Sequence, residues 1–547
     1  MTAENSPVTR VAIRADASSS LGNGHVMRCL GLAEALLSRG AQVLLLSREL
    51  PQPLEERVLA LGVQVLRLPG PAAGSPLEQL FDGDASRTAA DLLGVDEEAD
   101  ARTCLEALGE AGGANRLVVD HYGLGERFER AMRKGAPWIA VVDDLADRPH
   151  DCDVLLDQNL PDEISARYVS LVPSACSLLL GPRHALVREE FLAVRRSPAP
   201  RDGWVREILV SMGGMDHADM TSQAIKGLRS LRLKGVTITV IVGAGNHHLA
   251  RLAQACGRLK GANLIVEPDN MAELVARADL AIGAAGTSTW ERCLLGLPSV
   301  LVSAADNQVR VGTALAAAGG TMYLGEHPSA DAIAIAVAGL LAAPERVRLM
   351  GLAARACMTG ARGCRASELV MRVMAGPASF WLRPLAPADE SMVLEWRNSL
   401  PVRQWMLRDS LIPAEEHHAW FQRALDSEDI LPWVFEVDSR PSGLLYLGDI
   451  DWVARSCQWG FYMAPDGPRG VGEAMCRLGL AEAFRGVRLR TIHAEVIVCN
   501  DRSLLLHDRL GFRRTGVRRH ERPSGAVDVL LFELHDSEWW RIAESSA

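Results

Sequence analysis

The 547-residue chain lacks features that mark several broad classes of protein. Its 58 basic and 68 acidic side chains give a net charge of −10, so no basic nucleic-acid-binding surface is expected. The 11 cysteines include no Cys-x-x-Cys pair, which argues against a disulfide framework or a zinc ribbon. The longest apolar runs, such as 332–343, are shorter than the roughly 18 residues of a membrane helix, and no secretory signal is evident. We therefore expect a cytoplasmic enzyme with reduced thiols that binds neither membrane nor nucleic acid.

The length and the tryptophan distribution predict several domains. At about 150 residues per domain, the chain is long enough for three or four folding units. Nine of the 12 tryptophans follow Gly376, which places a boundary near 374–380. A polar, proline-bearing stretch at 195–204 is typical of a linker. We predict domains at 1–195, 204–375 and 380–547.

Short apolar runs alternate with helical patterns in the first two domains, which is typical of parallel sheets. The predicted strands of the first domain are Val11–Arg14, Val43–Ser47, Leu117–Asp120, Ile139–Asp143 and Val154–Leu156, and those of the second are Glu207–Met212, Thr237–Val242, Asn263–Val266, Leu280–Ile282 and Ser299–Val302. The predicted fold is α/β, with two doubly wound Rossmann-type halves and a ligand cleft between them at the carboxyl ends of the strands.

A Gly/Ser-rich turn joins the first strand to a predicted helix at Val26–Leu37. Gly22 and Gly24 permit a tight turn and a close approach of backbone to ligand. His25 lies in the predicted first helical turn, where the helix dipole favours a neutral ring that can act as a general base on water. The alternative is a structural turn with a locally hydrogen-bonded histidine.

The sequence IRADASSSLGNGHVMRCLGLA around His25 resembles the start of PseG-type UDP-sugar hydrolases of pseudaminic acid biosynthesis. Further matching segments follow in order at 118–125, 141–159, 181–191, 210–216, 282–298 and 305–308, so the resemblance spans about 10–370. That family is similar to two-domain GT-B glycosyltransferases of the MurG kind, with water in place of the acceptor sugar.

The resemblance implies hydrolysis of UDP-2,4-diacetamido-2,4,6-trideoxy-β-L-altropyranose to the free sugar and UDP. It implies that His25 orients or deprotonates the water that attacks the anomeric carbon. It also implies that the sugar pocket is lined by Asp16, Tyr122 and Asn307. Strand-end caps and buried hydrogen-bonding groups are the alternative roles for these three residues. Other enzymes of the same pathway are open as partners.

A second strand–loop–helix unit, DLAIGAAGTSTWERCLLGL, suits a pyrophosphate. Its predicted binding groups are Gly286, Thr287, Ser288 and Thr289. Glu291 is predicted to accept hydrogen bonds from the ribose hydroxyls, or else to be a solvent-facing helix residue. The resemblance adds Gln308 beside Asn307, and Met271 in a loop that presents backbone to uracil. Two Asp-x-Asp triplets, at 151–153 and 449–451, are too little for a metal site, so no metal is predicted.

The third domain resembles GNAT-fold acetyltransferases. Its predicted coenzyme A pyrophosphate loop, which matches Arg-x-x-Gly-x-Ala, contains Arg469, Gly470, Val471, Gly472 and Ala474. A second block, IHAEVIVCNDRSLLLHDRLGFRRTG, matches the next GNAT strand and helix and places Asn500 at the cofactor. Acetyl-CoA is therefore the expected co-substrate.

Many GNAT enzymes have a tyrosine that protonates the leaving thiolate where this sequence has His507. His507 is a candidate acid or a surface helix residue, and Glu436, Asp449 and Asp451 are candidate bases. The neighbouring hydrolase implies a PseH-like role, N-acetylation of the 4-amino precursor of the same UDP-sugar. The open alternatives are a GT-B glycosyltransferase, or a UDP-sugar-sensing module fused to a protein N-terminal acetyltransferase.

Overall fold

The computed structural model describes residues 9–18, 22–70, 93–160, 167–195, 201–214, 216–359, 367–376 and 380–545. They form two compact units, one of residues 10–37 with 42–369 and the other of residue 9 with 38–41 and 370–545. The predicted linker and the predicted boundary near 374–380 fall partly on 196–200 and 377–379, which lie outside the described residues. No helix in the described part of the chain is long and apolar enough to cross a membrane.

The first unit begins with a seven-stranded parallel sheet in the order β3-β2-β1-β4-β5-β6-β7. Its strands are β1 (Arg10–Ala15), β2 (Gln42–Ser47), β3 (Gln64–Arg67), β4 (Arg116–Asp120), β5 (Trp138–Val142), β6 (Val154–Asp157) and β7 (Ser177–Leu180). The helices are Gly24–Leu37, Gln52–Ala60, Glu97–Glu110, Glu126–Met132 and Glu189–Arg195. The strand order reverses between β1 and β4, and a crevice for ligand opens outside the carboxyl ends of strands at such a point.

A second parallel sheet of six strands completes this unit, in the order β10-β9-β8-β11-β12-β13. Its strands are β8 (Glu207–Ser211), β9 (Thr237–Val242), β10 (Ala262–Val266), β11 (Leu280–Ala284), β12 (Ser299–Ser303) and β13 (Thr321–Glu326). The helices are Met220–Ser230, Leu249–Gly257, Met271–Arg277, Ser288–Leu294, Asp306–Ala317, Ala330–Leu341 and Pro344–Ala356. The order reverses between β8 and β11, so the loops after these strands border a second crevice.

The second unit contains a mainly antiparallel seven-stranded sheet, in the order β14-β15-β16-β17-β18-β20-β19. Its strands are β14 (Phe380–Pro384), β15 (Leu431–Val437), β16 (Arg440–Asp451), β17 (Ser456–Met463), β18 (Thr491–Ile497), β19 (Arg513–His520) and β20 (Val527–His535). Its helices are Glu368–Ala375, Glu390–Asn398, Leu400–Arg403, Ala414–Asp426, Gly472–Ala481, Asp501–Leu510 and Asp536–Ser545. The first of them begins in the preceding unit, and its Met371 packs in the core of this sheet.

The pair β17 and β18 is the one parallel pair among the described strands of this sheet, and it is short. Three residues of each strand are paired, Ser456–Gln458 with Thr491–His493. Both strands continue beyond the pairing, to Met463 and Ile497. Because the ladder stops there, the strands part and leave backbone groups open between them.

Candidate functional site

His25 lies in the first turn of the helix Gly24–Leu37, which follows β1. Its Nδ1 is 2.5 Å from Oδ1 of Asp120, the last residue of β4. The two residues meet because β1 and β4 are neighbours, with Ala15 paired to Asp120. The carboxylate accepts the Nδ1 proton, so in the neutral ring Nε2 is left able to accept a proton. None of the described residues forms a hydrogen bond with Nε2.

Arg28 holds Asp120 in place from one turn further along the helix. Its Nε donates to Oδ2 and its Nη2 to Oδ1, each at 2.6 Å. Burial alone would raise the pKa of Asp120, but Arg28 and then His25 hold that pKa well below its usual range. Asp120 therefore stays a carboxylate, and the buried guanidinium is paired with it. The dipole argument for His25 is incomplete, since an anion and a cation both lie beside the ring.

Tyr122 and Asn307 complete this group. The rings of Tyr122 and His25 meet edge to face with centroids 4.5 Å apart. Asn307 Nδ2 donates to the Tyr122 hydroxyl at 2.8 Å, and that hydroxyl lies 3.4 Å from Oδ2 of Asp144. Burial raises the pKa of Tyr122 well above its usual value, so the group stays a phenol. The structure thus brings together His25 and Tyr122 from the first half with Asn307 from the second.

Asp16 is engaged elsewhere. Its carboxylate lies 2.8 Å from Nη1 of Arg14 and 3.3 Å from Nε2 of His121, and it accepts the backbone N–H of Arg48 at 2.7 Å. No hydrogen bond within the described chain joins it to His25. Through these contacts Asp16 connects β1 to the residues that follow β2. Its contact with the sugar stays a prediction.

Glycine-rich loops of the two halves face each other across the cleft. A Cβ atom on Gly24 would stand 3.4 Å from Oγ1 of Thr287, and one on Gly214 would stand 3.2 Å from Nδ2 of Asn23. Gly22 has φ of +72° with nothing within 4 Å of a Cβ, so its turn favours glycine for conformation rather than for space. Larger side chains at 24 or 214 would narrow the space between the loops.

The predicted nucleotide loop connects β11 to the helix Ser288–Leu294. The Thr289 N–H donates to Gly286 O at 2.9 Å, and its hydroxyl lies 3.3 Å from Ala284 O. Thr289 is buried, whereas Gly286, Thr287 and Ser288 are partly exposed. Thr289 therefore supports the loop from within, contrary to the expectation that all four residues offer groups to a ligand.

Three further residues of the predicted nucleotide site lie around this loop. Gln308 Nε2 would be 3.7 Å from a Cβ on Gly286, and Gln308 Oε1 accepts the Ala304 N–H at 3.0 Å. Glu291 is buried and pairs with Arg188, with Nε to Oε1 at 2.7 Å and Nη2 to Oε2 at 3.1 Å. A solvent-facing Glu291 is therefore wrong. Met271 begins the helix Met271–Arg277 and packs against the apolar core of the second half.

The predicted pyrophosphate loop of the acetyltransferase leads into the helix Gly472–Ala481. Gly470 has φ of +87° with open space around it, Arg469 is exposed, and Val471 to Ala474 are partly exposed. The first N–H groups of a helix have no acceptor within the helix, so an anion can accept them here. The parted strands β17 and β18 offer further backbone groups. These features fit coenzyme A, whose diphosphate needs donors and whose pantetheine amides need backbone partners.

Asn500 is the cap of the next helix. Its Oδ1 accepts the Ser503 N–H at 3.2 Å at the start of the helix Asp501–Leu510. One side-chain acceptor is therefore already occupied, which gives Asn500 a structural task. Contact with the cofactor stays a prediction for this residue.

His507 has a different environment from the one expected. It is 2% exposed, so the surface-residue alternative is wrong. Its Nδ1 lies 2.8 Å from the Ser503 carbonyl oxygen, to which it donates, and its Nε2 accepts from Trp459 Nε1 at 3.2 Å. Burial lowers the pKa of the ring. With both nitrogens engaged, His507 has no proton directed at a thiolate, which argues against its role as the acid.

The candidate bases differ in how free their carboxylates are. Glu436 accepts from Arg383 Nε at 2.6 Å and is buried. Asp451 accepts the N–H groups of Val453 and Ala454, which closes the turn after β16. Asp449 is exposed and has φ of +49°. The geometry favours none of them as the base.

The acidic triplet at 151–153 is a local ion-pair network. Arg133 reaches Asp151 Oδ2 at 2.9 Å and Asp153 Oδ2 at 3.1 Å. Within the described ranges, no three His, Cys, Asp or Glu side chains are grouped to hold a metal ion. Arg133 forms ion pairs with both aspartates, which is sufficient reason for two acidic residues to lie close together here.

Comparisons with known proteins match each part of the chain. Residues 208–346 match the family model for the glycosyltransferase family 28 C-terminal domain, and residues 379–513 match that for the acetyltransferase (GNAT) domain. The chain is 24% identical to UDP-2,4-diacetamido-2,4,6-trideoxy-beta-L-altropyranose hydrolase of Campylobacter jejuni, over 57% of this chain and 97% of that protein.

Two other proteins are similar to parts of the chain. The UDP-N-acetylglucosamine--N-acetylmuramyl-(pentapeptide) pyrophosphoryl-undecaprenol N-acetylglucosamine transferase of Sorangium cellulosum is 28% identical over 52% of this chain and 69% of its own length. The crystal structure of spermidine N-acetyltransferase from Vibrio cholerae aligns at 18% identity and a TM-score of 0.29, over 30% of this chain and 99% of that chain.

The predicted resemblances and the predicted fold class are confirmed. Two Rossmann-type parallel sheets precede a third, GNAT-like sheet. The chain therefore joins a pair of halves similar to a UDP-sugar hydrolase, the second matching glycosyltransferase family 28, to a C-terminal GNAT acetyltransferase domain.

Proposed function

We propose that this chain catalyses two successive reactions on one UDP-sugar in pseudaminic acid biosynthesis. It transfers an acetyl group from acetyl-CoA to the 4-amino group of the precursor. It then hydrolyses the product, UDP-2,4-diacetamido-2,4,6-trideoxy-β-L-altropyranose, to UDP and the free sugar. The observation that carries the hydrolase part is the cluster of His25, Asp120, Tyr122 and Asn307 at the cleft between the halves. The similarity to a hydrolase of that substrate over nearly its whole length supports the choice of sugar.

The hydrolysis needs one base and one leaving group. Water oxygen attacks the anomeric carbon, the bond from that carbon to the diphosphate oxygen breaks, and UDP departs with the electron pair. His25 Nε2 takes a water proton while Asp120 holds the Nδ1–H and stabilises the imidazolium that forms. Tyr122 borders the ring of His25 and accepts a hydrogen bond from Asn307, and the two residues would orient the sugar there.

The UDP is proposed to lie against the second half. Gly286, Thr287 and Ser288 are the partly exposed residues of the loop and would face the diphosphate. Glu291 would contact the ribose, with its carboxylate oriented by Arg188. Gln308 lies beside the loop, and Met271 would border the uracil. The contacts to the ribose and the uracil lie away from the bond that breaks, so they contribute mainly to affinity.

The acetyltransferase reaction is proposed for the third sheet. The residues that would hold acetyl-CoA are Arg469 to Gly472 and Ala474, and the cofactor would supply the activated acetyl group. The sugar amine would attack the thioester carbonyl carbon and the carbon–sulfur bond would break. The amine nitrogen would lose one proton, and the departing thiolate would gain one from a donor other than His507. A second candidate function is sugar transfer to an acceptor at the same cleft. The similarity to the N-acetylglucosamine transferase favours it.

The test uses the full chain with UDP-4-amino-4,6-dideoxy-β-L-AltNAc and acetyl-CoA, followed by proton and phosphorus NMR. We expect the N-acetylated UDP-sugar to appear first and UDP with free sugar to follow. Gly472→Glu should stop the first step only, because a charged side chain would occupy the space for the pyrophosphate. Supplying that variant with the acetylated UDP-sugar should restore UDP release. Acetylation of peptide N-termini but not of the sugar would contradict the pathway assignment of the third sheet, and UDP release only with an added acceptor would contradict hydrolysis.

A further inference from the structure

Arg292 lies directly under the loop that precedes its own helix. Its side chain is 2% exposed and runs back toward the helix start, as long side chains do in helices. Nη1 donates to Ser288 Oγ at 3.1 Å, and Nη2 donates to Thr289 Oγ1 at 3.0 Å and to Ala284 O at 2.7 Å. The guanidinium thus ties both ends of the loop together from below.

All the acceptors around Arg292 are uncharged. No Asp or Glu among the described residues forms an ion pair with it, and its buried Nε has no hydrogen-bond partner there. Two other buried arginines of this unit, Arg14 and Arg28, are each paired with aspartates. Burial lowers the pKa of Arg292 to about 10, so the group is still a cation at neutral pH. Glu291 acts on this charge through space, but its carboxylate is already bound by Arg188. A buried cation whose hydrogen-bond partners are all neutral is costly in a folded protein and calls for a counter-charge.

The neighbouring strand leaves room for this cation. A Cβ atom on Gly283 would stand 3.0 Å from Nη1 of Arg292 and 2.7 Å from the Ser211 carbonyl oxygen. A larger residue at 283 would therefore displace the guanidinium or part β11 from β8. The absence of a side chain here is required both by the approach of β8 and by the buried guanidinium.

We propose that Arg292 is the built-in counter-charge for the diphosphate of the bound nucleotide, and that it acts through the hydroxyl groups of the loop. This rests on the proposed binding of UDP over Gly286 to Ser288. Because Ser288 Oγ accepts from Arg292, its own proton is left to donate to a phosphate oxygen. The Thr289 hydroxyl donates to Ala284 O and holds the loop closed. Arg292 is thus a positioning residue that makes the site selective for an anion.

The test measures binding of UDP and of uridine to the full chain by calorimetry. We expect Arg292→Met to weaken UDP binding roughly 10- to 100-fold, because a buried charge interacts strongly with a nearby anion, and to change uridine binding less than about twofold. Arg292→Lys should keep most of the preference for UDP over uridine. The matched control is Arg277→Met, which removes an exposed arginine paired with Glu207 in the same half and should change neither affinity.

The melting temperature separates a charge role from a structural one. Without nucleotide, Arg292→Met should melt no lower than the parent chain, since an unpaired buried cation has been removed. The inference is overturned if Arg292→Met binds UDP as the parent does, if it loses UDP and uridine equally, or if Arg292→Lys loses the preference as completely as a neutral residue. If Arg292→Met does not fold, the preference for UDP over uridine is compared instead between Arg292→Gln, which is neutral, and Arg292→Lys, which keeps the charge. A parent chain that binds UDP without hydrolysing its sugar esters contradicts the proposed reaction alone, and one that binds no UDP contradicts the proposed nucleotide site.

Discussion

His25 and His507 are both buried histidines on helices, and their surroundings differ in one respect that decides what each can do. Asp120 binds Nδ1 of His25, and Nε2 has no partner in the described chain. Both nitrogens of His507 are engaged, one with the Ser503 carbonyl and one with Trp459. Burial and helical position are common to the two residues. A buried histidine is therefore a candidate base only where one ring nitrogen has no protein partner and a ligand can reach it.

The wider surroundings follow the same division. Around His25 the neighbours are charged or polar, with Arg28 and Asp144 behind Asp120 and Tyr122. Around His507 they are aromatic, with Phe461, Phe512 and Phe532 centroids 5.0–5.8 Å from its ring. A ring among aromatic side chains contributes packing to stability, and His507 adds its two hydrogen bonds. The first region thus leaves one ring nitrogen open to a ligand, and the second closes both nitrogens by packing and hydrogen bonds.

The same substitution at both histidines tests this comparison most severely. We expect His25→Phe to lower the rate of UDP release about 10²- to 10⁴-fold, since a general base is removed while a ring of similar size remains. Acetyl transfer should be unchanged. Release of UDP is measured by a coupled assay on the acetylated UDP-sugar. Near-parental release would remove His25 from the mechanism.

The carboxylate that orients His25 should matter less than the histidine. Asp120→Asn should lower kcat for UDP release, at most by about 10⁴-fold and by less than removal of the histidine, because an amide can stabilise the wrong tautomer and cannot stabilise the imidazolium. The pH–rate profile should change as well, which loss of packing alone would not produce. An unaltered profile with reduced activity would give Asp120 a purely structural role.

A second buried histidine–carboxylate pair supplies the control for that variant. Nδ1 of His150 lies 2.7 Å from Oε1 of Glu129, and Nε2 of His150 is buried without a partner in the described chain. Because no ligand reaches that nitrogen, Glu129→Gln should cost stability and leave kcat within about twofold. A comparable loss of kcat in both variants would break the distinction between the two pairs.

Asp157 sharpens the contrast with Asp120, because it is a buried carboxylate with little cationic support. Burial raises the pKa of Asp157 to about 6, and the neighbouring Asp144 and Asp143 add to the effect. Its folded-state pKa is above the unfolded value of about 3.9, so the folded chain binds more protons between these values and loses stability as pH rises through them. Asp157→Asn should remove this loss. Between pH 4 and pH 7 the free energy of unfolding of the variant should rise by about 1–3 kcal/mol relative to that of the parent. Denaturant unfolding at several pH values measures it, and a pH-independent difference would contradict the assignment.

The smallest change in activity is expected at the other histidine. His507→Phe should leave acetyl transfer within about threefold of the parent rate. It should cost about 1–3 kcal/mol of stability, because the buried Trp459 N–H loses its acceptor. Initial rates with acetyl-CoA at a temperature well below melting check the first part. A rate loss of a hundredfold in a stably folded variant would restore His507 as the acid.

The ten strands predicted for the two parallel sheets are present, and three others were missed. The missed strands are β3, β7 and β13, and each lies at an edge of its sheet. Edge strands are less buried than central ones, and each of these three has at most one buried residue, so none forms the fully buried run that marks a central strand. The Gln64–Arg67 strand, for instance, has no buried residue.

The partners within the site were harder to predict than its loops. The sequence placed His25, Tyr122 and Asn307 by resemblance, and the structure brings them together. Asp120 ends a predicted strand, but its approach to His25 depends on the neighbouring positions of β1 and β4, which lie about a hundred residues apart in the chain. The environment of His507 depends in the same way on β17 and β20, which supply Trp459, Phe461 and Phe532. Helical periodicity shows which side chains are buried and not which nitrogens find partners.

The central claim is that water attacks the anomeric carbon in the cleft at His25, and isotopic labelling tests it most directly. The parent chain is incubated with the acetylated UDP-sugar in ¹⁸O-water, and the released UDP is weighed by mass spectrometry. Cleavage of the carbon–oxygen bond leaves the UDP unlabelled and puts the heavy oxygen into the sugar. We expect unlabelled UDP, formed at least about a hundredfold more slowly by His25→Phe. Labelled UDP, which means attack at phosphorus, would contradict it.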